Sequence, residues 1–419
     1  MMNKISKSTL WFVGGAVVIY AVLQILISTG ILNSFWATII RLGAVMAIVS
    51  IGLNLIYGFN GQFSLGQWGF YAIGAYAAAD VTYRWGINQS ADGIVVLLLA
   101  TILSGGAILW LHSRLAQVRG LDPLSSFTIY LTATIALSAL AVWVGRMISP
   151  AVTSLLNLLP ADISMQIVFI LAVLFSGVLA AEISYLFGLP ILSLGSDYFG
   201  IATLGFTIIV KILLDNSDSL MGFIEMKGAR GMVGIPKVTS LFWVFFFLVL
   251  VVILIRNLLR SSYGRAIISV REDEIAAKAM GIDIAEYKIL AFVLGSFLAG
   301  LAGGLYAHVN GFLHPDTFNF IKSFDPMIII VFGGLGSITG TVFAAFAWAL
   351  VLEGVLRLFL PQGFETWRFV VYPLLLLITM LLRPKGILGD FELPFLRQVL
   401  PKPRKTNPTE TEQSVEAHS

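Results

Sequence analysis

The chain contains no cysteine, only four histidines and few charges: Asp, Glu, Lys and Arg together make 12% of its 419 residues. Without cysteine there are no disulfides and no thiolate metal sites. None of the histidines stands in an H-E-x-x-H arrangement, which leaves no zinc-hydrolase signature. No G-x-x-x-x-G-K-[ST] phosphate loop occurs either, so this chain carries no recognisable ATP-hydrolysing site of its own. Polar cover is also missing, since 58% of the residues are hydrophobic and the mean hydropathy is +0.91. A soluble domain is about half apolar and about a quarter charged. Most of this sequence is therefore unsuited to water. The pI near 9.0 raises the question of nucleic acid, but the net charge is only +3. The basic residues gather at the ends of apolar segments, a pattern of membrane topology.

What is present is a series of long, continuous apolar runs with short polar breaks. Hydrocarbon offers no hydrogen-bond partners, so spanning elements are helices or a closed barrel, and a barrel shows short alternating strands. A spanning helix needs about 20 largely apolar residues. That length predicts helices near 10–29, 35–57, 65–82, 93–113, 126–148, 164–187, 198–214, 240–259, 287–309, 338–358 and 367–382. The expected fold is all-α, a polytopic bundle of ten to twelve membrane segments, with broken or re-entrant helices near 58–66 and 326–340. Lys4 and Lys7 precede the first run, which lacks a small-x-small cleavage site and reads as a retained helix. Residues 1–385 read as the membrane domain and 386–419 as a polar tail with a disordered end.

Cytoplasmic loops collect Lys and Arg. Arg256, Arg260, Arg265, Arg271, Lys278 and Lys288 crowd one loop, 260–287, and Arg383, Lys385, Arg397, Lys402, Arg404 and Lys405 crowd the tail. Both belong on the cytoplasmic side, with Lys4, Lys7, Arg114 and Arg119. Between loop and tail the number of crossings must then be even, yet only three full-length runs lie there, so Pro326–Phe332 supplies a further pass or a re-entrant half-pass. It leads into Gly333-Gly334-Leu335-Gly336-Ser337-Ile338-Thr339-Gly340, where glycines break a helix and Ser337 or Thr339 is placed to cap the next. A second break is Tyr57-Gly58-Phe59-Asn60-Gly61-Gln62-Phe63-Ser64-Leu65-Gly66, with Ser64 as a candidate cap, and a third is Ser193-Leu194-Gly195-Ser196-Asp197. Broken backbone inside a membrane is tolerated in protein or beside a watery cavity, which points to a transport path. Helix packing is the competing account of any single glycine. The amides beside the glycines favour the path, with Asn54, Asn60, Gly61, Gln62, Ser64, Gln67, Thr203 and Ser337 as its candidate residues.

Within the basic loop, Glu272, Asp273 and Glu274 suit a helix N-terminus, where carboxylates meet the positive end of the dipole. Gly281 suits the position that ends that helix, and Ile275, Ala276, Ala279 and Met280 share one face of it. A small apolar face on a cytoplasmic helix fits a groove in another protein. A lipid-surface helix is the alternative, but this face lacks bulky Trp, Phe and Leu.

This loop resembles the acidic, alanine-rich "EAA" loop with which ABC importer permeases dock on their ATP-binding subunits. The wider sequence is similar to the branched-chain amino acid permease family of the LivM kind. The similar stretches are Gly52-Leu53-Asn54-Leu55, Gly61 to Gly66, Gly74-Ala75-Tyr76, Tyr198 to Phe206, Gly295 to Gly303 and Phe332 to Ser337. Their order over about residues 50–385 carries the resemblance, and the stretch between Trp85 and Glu182 departs from it by its greater length. The resemblance implies a permease in a bacterial inner membrane with both termini cytoplasmic. Implied partners are a homologous second permease, two ATP-binding subunits that hold ATP and Mg, a soluble substrate-binding protein and the lipid bilayer, with no nucleic acid. No cofactor belongs to this chain. The implied cargo is a branched-chain or related neutral amino acid; a path of small residues and amides also suits urea or a short amide.

Two other classes of function have candidate residues. An ion-coupled transporter would use membrane-embedded ionisable groups, for which Arg41, Glu182, Lys211 and Glu353 are available, but such a machine gives no reason for a structured loop at Glu272–Gly281. A membrane enzyme would draw on His308, His314 and Asp316.

Overall fold

The computed structural model describes residues 7–115, 123–192, 196–219 and 224–356, together with 374, 377–378, 381–383, 386–389, 392–393 and 395–396. The expected helix at 367–382, the first three residues of the 193–197 break and the tail beyond 396 lie largely or wholly outside these residues. The fold is an all-α polytopic bundle. Nine helices among the described residues are long and apolar enough to cross a membrane.

In chain order the first part comprises α1 (Lys7–Ser28), α2 (Ser34–Leu53), α3 (Gln67–Asn88), α4 (Asp92–Leu115), α5 (Pro123–Leu156), α6 (Ala161–Leu192) and α7 (Ser196–Asp215). It continues with α8 (Leu241–Arg260), α9 (Ser262–Glu272), α10 (Glu274–Ala279), α11 (Ile284–Asn310), α12 (Phe324–Gly333) and α13 (Ile338–Trp348). π-Helical turns extend α2 over Asn54–Phe59 and α13 over Ala349–Val355. Two-residue strands, β1 (Met232–Val233) and β2 (Phe312–Leu313), pair antiparallel beyond the end of α11. The expected helices are all present where described, but α5 and α6 run past Pro150 and Pro190, well beyond the predicted ends at 148 and 187. These two long helices, with α4, fill the additional length between Trp85 and Glu182.

Helix α11 is central, packed on α6, α3 and α2. Its glycines make that possible: a Cβ at Gly295 would stand 2.6 Å from Gly52 O, and Cβ atoms at Gly300 and Gly303 would collide with α6 and with the Tyr71 carbonyl. Small residues let backbones approach where lipid supplies no hydrophobic drive. The Gly295–Gly304 stripe is thus a packing device rather than a break. Helix α3 is parallel to α11, with Tyr71 against Gly303 and Thr82 bonded to His308. Gln67, one turn before Tyr71, is therefore level with the middle of α11, and α3 starts half-way through the bundle. The hairpin of α4 and α5 packs on α6, and α1 packs on α8.

The basic end of the bundle differs from expectation in one respect. The acidic run predicts a single helix from Glu272 to Met280; instead the chain breaks at Asp273, whose backbone is extended (φ −161°, ψ 109°). The Asp273 carboxylate accepts the N–H groups of Ile275 and Ala276 at 2.8 and 3.0 Å, an N-cap that starts α10 and leaves Glu272 as the last residue of α9. Gly281, at φ +82°, ends the turn in the left-handed region as expected.

The first part of the tail packs on the bundle at this same end. Ile387 N–H donates to Phe332 O at 2.8 Å, Glu392 accepts the Ile338 N–H at 2.6 Å at the start of α13, and the Phe395 ring stacks on Phe12 at 4.3 Å. Arg256 and Arg260 of α8 both donate to the Phe395 carbonyl, at 2.9 and 2.8 Å.

Candidate functional site

Helix α2 ends inside the bundle because its last turn is loosened into a π-helix and Gly61, at φ +78°, turns the chain away. Only glycine adopts that backbone without strain. Residues 60–66 then run without regular structure to the mid-depth start of α3. The second break has the same construction. Helix α12 has 10 residues, about 15 Å, too short to cross a bilayer. After Gly333 the chain turns through Gly334 (φ +117°) and Gly336 (φ +81°) and runs back as α13, packed against α12. The 326–340 segment is thus broken as expected, a short helix and a glycine turn ahead of α13.

The two breaks meet. Asn54 Nδ2 donates to Ser337 O at 2.9 Å and to Thr341 Oγ1 at 2.8 Å, while its Oδ1 accepts the Gly336 N–H at 2.9 Å. Ser337 Oγ caps α13 through the Gly340 N–H at 2.9 Å. Ser64 does not cap α3 as expected; its Oγ accepts the Gly66 N–H at 3.3 Å, and Gly66 occupies the cap position with no side-chain bond. Thr203 Oγ1 accepts the Leu65 N–H at 3.0 Å, and Thr207 Oγ1 donates to Leu65 O at 3.1 Å, so α7 holds both backbone groups of the irregular segment. Sequence reasoning misses Thr207, although its position four residues after Thr203 places both hydroxyls on one helix face.

The candidate path residues therefore divide by chemistry. Asn54, Ser64, Thr203 and Ser337 spend their polar atoms holding the breaks in shape. Asn60, Gln62 and Gln67 are buried, at 2%, 5% and 1% exposure, yet neither amide atom of any of the three has a hydrogen-bond partner among the described residues. Leaving a buried amide unpaired costs on the order of 1–3 kcal/mol. Three of them along one eight-residue stretch mark it as lined for polar company. Gly61 and Phe63, between them, are exposed.

On the basic loop, Ile275 and Met280 are 84% and 83% exposed, and Ala276 and Ala279 are also exposed, whereas Ala277 is buried against the chain itself. The helix that displays them is held by the Asp273 cap and by a 2.7 Å ion pair between Lys288 and Glu274. The loop also touches the breaks. Arg271 donates to Gly58 O, and its stem lies against Gly61.

The competing candidates are engaged in structure. Arg41 donates to Thr239 O at 3.2 Å, Lys211 pairs with Asp215 at 2.7 Å and Asp316 at 3.0 Å, and Glu353 lies 4.0 Å from Lys322. Lys211 holds the exposed Asp316 carboxyl below its ordinary range. Glu182 accepts a 2.5 Å bond from Ser104 across the α4–α6 contact. His308 is fully buried, with Nδ1 2.6 Å from Gly304 O and Nε2 2.7 Å from Thr82 Oγ1, a pairing that makes it a core residue. His314 and Asp316 stand in the loop after β2, where the Asp316 N–H donates to His314 Nδ1 at 3.2 Å.

The model of the family described as branched-chain amino acid transport system / permease component matches residues 35–153 and 124–380 of the chain. The high-affinity branched-chain amino acid transport system permease protein LivM of Escherichia coli (strain K12) is 33% identical over 247 residues, which cover 51% of this chain and 56% of that protein. The probable branched-chain amino acid transport permease protein LivM of Methanocaldococcus jannaschii is 24% identical over 237 residues, 53% of this chain and 69% of that one. The high-affinity branched-chain amino acid transport system permease protein LivH of Salmonella typhimurium is 29% identical over 159 residues, 38% of this chain and 50% of its own length. The match thus spans a little over half the length of the E. coli LivM protein. No solved structure matches the chain.

Proposed function

The chain belongs to the branched-chain amino acid transport permease family, and from that premise we propose that it is one permease subunit of an ATP-driven importer for branched-chain or related neutral amino acids. The observation that carries the reading is α10: a capped, ion-paired helix at the basic end that keeps Ile275 and Met280 more than four-fifths exposed. A surface that is ordered, apolar and uncovered suits a groove on an ATP-binding subunit. The basic residues around it support a cytoplasmic side for that end; on this reading the membrane is a bacterial inner membrane and both chain termini lie on that same side. ATP and Mg then belong to two ATP-binding subunits, and this chain does no catalysis. Similarity to both LivM and LivH proteins supports a homologous second permease as partner. A soluble binding protein delivers the cargo at the opposite end.

The path runs beside the 60–67 segment, where Asn60, Gln62 and Gln67, whose amides have no partner among the described residues, offer them to the ammonium and carboxylate of an amino acid. Half-helix ends pointing at an anionic group are a known transporter device. The test is reconstitution of the chain with its co-encoded subunits in proteoliposomes, measuring ATP-dependent uptake of leucine, isoleucine and valine against urea and acetamide. Uptake of the amino acids only with ATP and binding protein is expected. Uptake that persists without an ATPase and follows a proton or sodium gradient would overturn the reading, and a preference for urea or acetamide would replace the cargo.

A further inference from the structure

We infer that Arg271 is the positioning residue that carries displacement of α10 into both broken segments; this rests on the reading of α10 as the ATPase contact. Arg271 is the penultimate residue of α9, two positions before the Asp273 cap of α10. Its guanidinium faces two ways. Nη1 donates to the carbonyl of Gly58, in the π-helical end of α2, while Nε and Nη2 hold Glu272 Oε1 at 3.1 and 2.7 Å. The aliphatic stem fills the space over Gly61, where a Cβ would stand 3.0 Å from Arg271 Cγ. The same side chain reaches the second break, since a Cβ on Gly336 would lie 3.1 Å from Nη1.

The chemistry suits a coupling part. The last carbonyls of a helix lack backbone partners and carry its negative dipole end, so a guanidinium there makes a charge-assisted bond. Gly61 and Gln62 return their N–H groups to Tyr57 O and Ile56 O, which leaves Gly58 O for Arg271. Helix α9 is joined to α10 through Asp273 alone and buries Ala266, Ile267 and Val270 on its inner face. Displacement of α10 therefore moves Arg271 with α9 and pulls on Gly58. Through Asn54, one turn earlier, the pull passes to Gly336 and Ser337. The amides at 60, 62 and 67, without partners among the described residues, follow the gripped residue in the chain.

The absence of native cysteine allows a single thiol reporter, Phe63→Cys, on the irregular segment where Phe63 is 36% exposed. The experiment uses the assembled complex in proteoliposomes, with Arg271 intact, Arg271→Ala and Arg271→Lys, each carrying the reporter. It measures ATPase recovery, amino acid transported per ATP hydrolysed, and the change in labelling of the introduced thiol when a non-hydrolysable ATP analogue binds. Arg271→Ala should keep ATPase recovery and ATP hydrolysis, but lose roughly tenfold or more in transport per ATP, within the usual range of coupling between sites. It should also lose the nucleotide-dependent change in thiol labelling. Lysine keeps the charge and one bond to Gly58 but not the fork, and should restore both readouts in part. Unchanged transport per ATP and unchanged labelling response in Arg271→Ala would overturn the inference. Loss of ATPase recovery from both variants would also overturn it, by making Arg271 a docking or folding residue. If the parent chain recovers no ATPase, the docking reading fails first and the inference goes with it.

Discussion

Removing the two exposed apolar side chains, one on α10 and one on its C-terminal cap residue, should separate docking from folding. Ile275 and Met280 project from the chain at 84% and 83% exposure, so Ile275→Ser with Met280→Ser takes no contact from the chain's own core. Surface substitutions of this kind change stability by about 0.5 kcal/mol or less. Burial of each such side chain in a partner contributes about 1.5–3 kcal/mol. Even at the lower bound, losing both costs about 3 kcal/mol, on the order of a hundredfold in Kd. Ala279→Glu should act in the same direction, because a carboxylate set against an apolar wall costs a few kcal/mol. Ala277→Glu provides the contrast: Ala277 is 4% exposed, facing inward, so that change should destabilise the permease itself. Asp273→Ala, which removes the cap and frays a six-residue helix, should cost about 1 kcal/mol. The assay is titration of purified ATP-binding subunit onto tagged permease in detergent, with thermal stability of each permease variant as control. A double serine variant that binds within about threefold of the parent would refute the docking geometry, as would a soluble ATP-binding subunit that tolerates Ala279→Glu but not Ala277→Glu.

Three further outcomes follow from named contacts. Gly61→Val forces a β-branched residue to φ +78° beside the Arg271 stem, so uptake should fall while the complex still assembles; unchanged uptake would count against a path beside residue 61. Gly303→Leu drives a side chain into the Tyr71 carbonyl and should abolish detergent-stable expression, whereas Gly106→Leu, with nothing within 4 Å, should be tolerated; equal thermal stability of the two would contradict the α3–α11 packing. Asp316 has a carboxyl lowered by Lys211, so its stabilising effect is present above the unfolded carboxylate pKa, about 3.9, and is lost as pH falls below it. Thermal melts of the parent and Asp316→Asn should therefore differ at neutral pH and converge as pH falls through the lowered folded value; a difference that stays constant over the acid range would contradict the Lys211 pairing.

Helix order and the two principal breaks were legible in the sequence because their causes are local. A bilayer demands about 20 apolar residues per span, and glycines, amides and capping hydroxyls declare interruptions within a few residues. Ser337 as a cap and Gly281 as a helix end needed nothing beyond their neighbours. The path through Pro150 and Pro190 was not legible, since proline reads locally as a stop and only packing of α4, α5 and α6 keeps those helices going. Nor was the break at Asp273, where one carboxylate took two N–H groups that a continuous helix would have used otherwise. Above all, the sequence by itself placed eight candidate polar and glycine residues on a path without sorting them. Asn54 became a clamp through a partner 282 residues away, and Arg271 reached Gly58 across 213 residues, while Asn60, Gln62 and Gln67 have no partner among the described residues. Composition decides that such a chain lives in lipid; which amides are free to meet a cargo is decided by tertiary contacts, because a hydrogen bond depends on where the partner ends up in space and not on how far away it lies along the chain.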